Sequence, residues 1–123
     1  MPYELYNIRI VELTADVPLR TDRDAVDAIA MTSAYRPAIV VIPTEHLNVG
    51  FFRLTTRIAG EFIQKFFTYK LHLVIMGDVS AYTRNSPSFR DFVYECNTGS
   101  HLWFVAGVEE LEERLEPRLR VKE

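Results

Sequence analysis

This chain of 123 residues has one cysteine, no long apolar run and no excess of positive charge. The single cysteine, Cys96, excludes an internal disulfide, so nothing in the sequence points to an oxidising compartment. The first residues lack the basic and apolar stretches of a signal peptide, and every apolar run is far shorter than the ~20 residues that span a bilayer. We therefore expect a cytoplasmic protein without a membrane segment.

The charge balance and the missing motifs restrict the function further. A formal net charge of -3 argues against bulk attraction to nucleic acid or anionic lipid, because both need clustered Lys and Arg. There is no phosphate loop, nucleophile elbow or dinucleotide fingerprint. The histidines His46, His72 and His101 show no metal-ligand spacing. We expect no catalytic set, no metal and no cofactor.

What is present is a regular alternation of apolar runs and amphipathic stretches, which predicts one α/β domain over residues 1–123. Strands are predicted in residues 4–13, with a hairpin about Tyr6 and Asn7, and at 38–42, 71–77 and 102–105, the last at or near the sheet edge. Helices are predicted at about 21–35, 54–69 and 88–97, and from Val108 onward. This is a mixed sheet of four to five strands with about four helices. The run 38–42, apolar on both faces, is the expected central strand.

Local signals refine several of these boundaries. Ser86 followed by Pro87 predicts a helix cap, and Gly99 predicts a left-handed helix stop. Residues 78–87 are polar and predict a loop. Gly60, inside a predicted helix, is interpreted as a point of close helix–sheet packing.

Candidate functional residues follow the two central strands. Thr55 and Thr56 begin the second helix, where a hydroxyl either caps the helix or helps bind an anion or carry a phosphate. Asp78 and Ser80 follow the third strand and either close an Asx turn or take part in binding. Glu45 occupies the corresponding place one strand earlier. The pair Phe51-Phe52 is either core packing or an exposed patch for a partner.

Three segments resemble a bacterial family known as domain of unknown function 4180: residues 51–66, residues 76–83, and residues 88–97 with Gly99. The layout of that family is similar to STAS domains, which occur in anti-sigma-factor antagonists and sulfate transporters. The resemblance implies a small mixed sheet with a phosphorylatable Ser or Thr at the start of the helix after the central strand. Thr55 or Thr56 matches that position. The antagonists usually have Asp-Ser-Ser-Gly at this place. In this chain Arg57 stands where the Gly would be, and no Asp precedes Thr55 and Thr56.

The leading interpretation is a non-enzymatic regulatory or protein-interaction module of STAS-like type that binds a protein partner through this surface. An alternative is a small-molecule or anion-binding domain, in which the Arg57 guanidinium would hold an anion beside Thr55 and Thr56. A further alternative is a small enzyme with Asp78 or Glu45 as acid or base. The strand containing Trp103, if it lies at an edge, could pair with a second copy in a homodimer.

Overall fold

The computed structural model describes residues 2–13, 22–47 and 58–116, and within them five strands form one mixed sheet. The strands are β1 (Pro2–Leu5), β2 (Ile8–Glu12), β3 (Ile39–Pro43), β4 (His72–Met76) and β5 (Leu102–Val105). They lie side by side in chain order. β1 is antiparallel to β2, and all other neighbouring pairs are parallel. The predicted α/β class is confirmed.

The first two strands form the predicted hairpin. Tyr6 and Asn7 connect them with φ angles of 54° and 67°. Positive φ at both central positions is the pattern of a type I′ turn, whose twist suits two-residue hairpins. Asn tolerates this backbone region well, so the turn forms here without a glycine.

Five α-helices accompany the sheet in the described part of the chain. They are α1 (Asp22–Thr32), α2 (Ile58–Thr68), α3 (Ser80–Asn85), α4 (Pro87–Thr98) and α5 (Val108–Leu115). The parallel strands are joined in sequence order. Right-handed crossovers between them place the connecting helices on one face of the sheet. Ile29 of α1, Phe66 of α2 and Phe89 of α4 accordingly share one core cluster. On the other face α5 buries Leu111 and Leu115 in a second cluster.

β3 is the central strand and is covered on both sides, as predicted. Val40 and Ile42 belong to the core cluster under α1, α2 and α4. Ile39 and Val41 belong to the cluster under α5. All four side chains are at most 3% exposed. β5 lies at one edge of the sheet, which confirms the prediction for residues 102–105.

The loop predicted for residues 78–87 is wrong, because α3 lies within it. The helix begins at Ser80, whose N–H donates to Asp78 Oδ1 at 2.9 Å. None of its residues is fully buried, so it carries no apolar periodicity that could have predicted it. The next helix boundary is confirmed: Ser86 Oγ accepts from Phe89 N–H at 3.1 Å, and Pro87 occupies the first turn of α4.

Two glycine predictions are also wrong. Gly99 ends α4 with φ -96°, an extended conformation rather than a left-handed one. Gly60 is exposed, and a Cβ atom built there would meet nothing within 4 Å. The glycine in α2 is therefore not explained by close packing against the sheet. No described helix has the length and apolar character needed to cross a bilayer.

Candidate functional site

The carboxyl ends of β3 and β4 bring two of the predicted site segments together. The two strands are in parallel register, with Pro43 opposite Met76. Beyond them, Gly77 packs directly on the Thr44 side chain, so closely that a Cβ atom at Gly77 would overlap Thr44 Oγ1. Gly77 also has φ 144°, a backbone region that favours glycine. The segments that follow the two strands are therefore in contact at this edge of the sheet.

Glu45 lies in a short 3₁₀ turn, Thr44–His46, directly after β3. Its side chain is exposed. It is therefore next to the Thr44 contact and on the same edge as the segment that begins with Gly77.

Asp78 and Ser80 form the Asx turn that was one of the two sequence interpretations. The Ser80 backbone N–H and then its hydroxyl lower the pKa of Asp78, and the Arg84 charge one turn later acts in the same direction. The carboxyl group is exposed and remains ionised at neutral pH. An anionic group is thus held at the start of α3.

The remaining predicted site residues, Phe51, Phe52, Thr55, Thr56 and Arg57, lie outside the described residues. In the sequence they occupy the interval between the turn that contains Glu45 and the first described residue of α2, Ile58. Their roles stay predictions.

Metal and thiol chemistry receive no support from the described residues. No three His, Cys, Asp or Glu side chains among them are placed to hold a metal ion. Cys96 is half-buried and packs against the core cluster under α4. Burial, with a smaller effect of Glu95, raises the pKa of its thiol to about 11. It is a packing residue and not an activated nucleophile.

A crevice that was not predicted lies at the opposite edge of the sheet, where the parallel strands begin (the amino edge). One cavity of about 620 Å³ is lined by residues of the α2 end, the β4 start and the segment before β5, among them Lys70, His72 and His101. A second cavity of about 600 Å³ lies toward α5 and is lined in part by Trp103 and Arg114. Ala38, His72 and Ser100 line both cavities.

His72 lies at the junction of the two cavities. Its ring packs edge-to-face on Trp103, with ring centroids 4.2 Å apart. The Arg114 guanidinium lies over the same indole, 4.7 Å from its centroid, and donates to Asn97 O at 3.1 Å. Burial, followed by the nearby His101 and Arg114 charges, lowers the pKa of His72 to about 4. The imidazole is therefore neutral at physiological pH.

The sequence held one weak signal for this crevice. His72 is the only polar residue in the otherwise apolar strand 72–76, and Lys70 is two residues before it. The other groups of the crevice come from the end of α2, from residues 97–103, from α5 and from residues near the starts of β2 and β3. Only the folded chain brings them to His72.

The model of the family described as Domain of unknown function (DUF4180) matches residues 6–115. Comparison with curated proteins and with solved structures gives no match.

Proposed function

This chain belongs to the DUF4180 family, a membership that assigns no activity, and we propose that it is a non-enzymatic protein-interaction module of STAS-like type. Its partner is a protein. The surface that binds the partner is the edge of the sheet where β3 and β4 end (the carboxyl edge). A cytoplasmic location belongs to the same proposal, because a chain with one cysteine forms no internal disulfide.

The STAS-like part of the proposal is supported by the arrangement of elements. The sheet is mixed, and α2 is the helix that follows the central strand β3. Thr55 and Thr56 come shortly before Ile58 in the sequence, which is the place where STAS domains have their phosphorylatable residue. This is a likeness of layout and carries less weight than the site itself.

The observation that carries the proposal is the contact between Gly77 and Thr44. It fixes the segments after β3 and β4 against each other and places the exposed Glu45 and Asp78 on one edge. Exposed carboxylates on one edge suit recognition of a basic partner surface, since complementary charge guides association and orientation.

The enzyme alternative is weaker at Asp78. A general acid or base works best with a pKa near the operating pH, usually inside a cleft that shifts it upward. Asp78 shows the reverse, because it is exposed and its hydrogen bonds to Ser80 lower its pKa. Neither Asp78 nor Glu45 lines the two cavities of the amino edge.

A charge reversal tests the interaction surface. Immobilised protein and its Asp78→Arg variant are exposed to an extract of the native cell, and the captured proteins are quantified by mass spectrometry. We expect Asp78→Arg to reduce capture of the specific partner by about tenfold, a typical effect of like-charge contact at an interface.

The matched control is Glu95→Arg, the same charge change at an exposed residue of α4. It should leave capture unchanged. Equal capture by all three proteins, or equal loss in both variants, would contradict the proposed surface.

Phosphorylation at Thr55 or Thr56 is a second, separable part of the proposal. A helix start tolerates an added phosphate group. Phosphate on Thr55 or Thr56 would add negative charge to the segment that follows Glu45 in the sequence. Intact mass after incubation with ATP and cell extract should show one added phosphate, which is lost in Thr55→Ala or Thr56→Ala. If no phosphate appears in the wild-type protein, Thr55 and Thr56 are not a switch, and the Asp78→Arg result stands independently.

Self-association through β5 is also part of the proposal, because this four-residue strand forms a sheet edge. A second copy could add its own strand there. Size-exclusion chromatography with light scattering should show a dimer in concentrated solution. A monomer at all concentrations would remove this part of the proposal.

A further inference from the structure

We propose that the crevice at the amino edge of the sheet binds a small aromatic carboxylate beside His72. The crevice is on the edge opposite Glu45 and Asp78, because β4 begins at His72 and ends at Met76, just before Asp78. This binding site therefore goes beyond the proposed function and does not depend on it.

The cavity has the size and lining of a small-molecule site. Its volume of about 620 Å³ lies within the range of roughly 300–1,000 Å³ that such sites occupy. Phe67 and Leu71 supply apolar wall, and polar groups come from Lys70, His72, Ser100 and His101. A mostly apolar wall with a few convergent polar groups is typical of a site for an organic ligand.

The charges of the lining select an anion. Among the described residues, no Asp or Glu lines either of the two cavities, although the whole chain has 17 acidic and 14 basic residues. Lys70 lines the first cavity, and Arg114 lines the second. The negative end of α2 favours a nearby cation such as Lys70. It does not account for the absence of acidic residues from both cavities.

Lys70 has an uncommon backbone conformation. Its φ is 60°, the left-handed region in which glycine is the usual residue after a helix. Its N–H donates to Phe67 O at 2.9 Å, and the Leu71 N–H donates to Phe66 O at 3.0 Å, so the turn is tightly closed. A lysine in this place adds a positive charge to the residues that line the cavity, where a glycine would add none. Strained positions of this kind often accompany function.

The His72 ring offers a hydrogen bond that nothing in the described residues satisfies. Its Nε2 atom is buried and has no hydrogen-bond partner there. The imidazole is uncharged, so Nε2 is available as an N–H donor when the proton sits on that nitrogen. Because Nε2 is covered, the His72 ring must turn toward the cavity to donate to a carboxylate oxygen there, and Lys70 would contribute the opposite charge.

An aromatic group on the ligand follows from Phe67. This side chain is 54% exposed, although it lines the cavity. Its ring packs edge-to-face on His101, with centroids 4.5 Å apart. A planar ring bound here would cover exposed aromatic surface, an arrangement that adds to the gain from burial alone.

Benzoate is the probe that tests the proposal, and Trp103 is the reporter. Trp103 is the only tryptophan, and it contacts His72, so its fluorescence reports on the crevice. Titration of the full chain should give a saturable change with a Kd of about 1 mM or lower, the affinity open to a ligand of this size. Cyclohexanecarboxylate, benzamide and inorganic phosphate should each bind at least several-fold more weakly.

Two variants locate the site. Lys70→Gln removes the charge at an exposed position and should weaken benzoate binding about tenfold. His101→Ala should weaken benzoate binding by a smaller factor. Lys65→Gln is the control, since Lys65 lies in the last turn of α2, close to Lys70 in the sequence, but does not line the cavity. Amide shifts in NMR spectra provide a second readout.

Three results would overturn the proposal. One is the absence of a saturable response to benzoate. Another is phosphate or cyclohexanecarboxylate binding as tightly as benzoate, which would remove the aromatic selectivity. The third is an unchanged benzoate affinity in Lys70→Gln.

Discussion

At the residue scale, partial burial moves the pKa of His72 far from its ordinary value. His72 begins β4, and the next three residues, Leu73, Val74 and Ile75, are fully buried. The pKa of His72 falls from 6.5 to about 4. Between these values the unfolded chain binds a proton that the folded chain does not. Stability due to this group is therefore complete above about pH 6.5 and is lost progressively as the pH falls toward 4.

Urea unfolding checks this pH dependence. Between about pH 7 and pH 5 the free energy of unfolding should fall by on the order of 1 kcal/mol through His72, after a discount for its partial exposure to solvent. His72→Gln should flatten that part of the pH profile, and His101→Gln should leave most of it. A wild-type profile that is flat above pH 5 would show that His72 is not buried as described.

Gly60 and Gly77 predict opposite responses to the same substitution. Gly60→Ala places a methyl group in open space on an exposed helix face and should stabilise the protein by about 1 kcal/mol. Gly77→Ala forces a Cβ onto Thr44 at a φ of 144° and should cost roughly 2–3 kcal/mol. Thermal and urea unfolding of both variants measure the difference. A loss of stability in Gly60→Ala would restore the close-packing interpretation of that glycine.

At the scale of the element, a side-chain hydrogen bond caps the start of α4. Ser86 Oγ accepts from Phe89 N–H at 3.1 Å, and the Phe89 side chain is fully buried in the core. Ser86→Ala should therefore lower the free energy of unfolding by about 1 kcal/mol. Ser88→Ala, at an exposed position two residues later, should change it by less than about 0.5 kcal/mol. Equal effects would mean that the cap contributes nothing.

The elements that the sequence predicts correctly are those with a strong apolar pattern. β3 and β4 are apolar runs, and α4 combines a cap signal with an apolar face. α3 was missed because it is six residues long, has no fully buried residue and begins through a local Asp78 contact. Element patterns cannot reveal such a helix.

The two candidate functional regions also differ in how far the sequence predicts them. The proximity of Glu45 and Asp78 could be predicted, because parallel neighbouring strands end at the same edge of a sheet. The crevice around His72 could not be predicted. Its walls come from residues far apart in sequence, such as Lys70, His101 and Arg114, and they meet only after the strands and helices have packed.

At the scale of the whole molecule, the two ends of the sheet carry different chemistry. The carboxyl edge presents the exposed carboxylates Glu45 and Asp78. The amino edge has a crevice whose lining, as far as the structure describes it, contains cations and aromatic rings and no acidic residue. We propose accordingly that partner binding and ligand binding occur at opposite edges.

The most direct test of this central claim is quantitative capture of the protein partner from native-cell extract by wild-type protein, Asp78→Arg and Lys70→Gln. Benzoate binding to the same three purified proteins is followed by Trp103 fluorescence. Asp78→Arg should reduce partner capture about tenfold and leave the benzoate affinity unchanged. Lys70→Gln should weaken benzoate binding about tenfold and leave partner capture unchanged. Undiminished capture of that partner by Asp78→Arg would contradict the proposal that the carboxyl edge is the interaction surface of this domain.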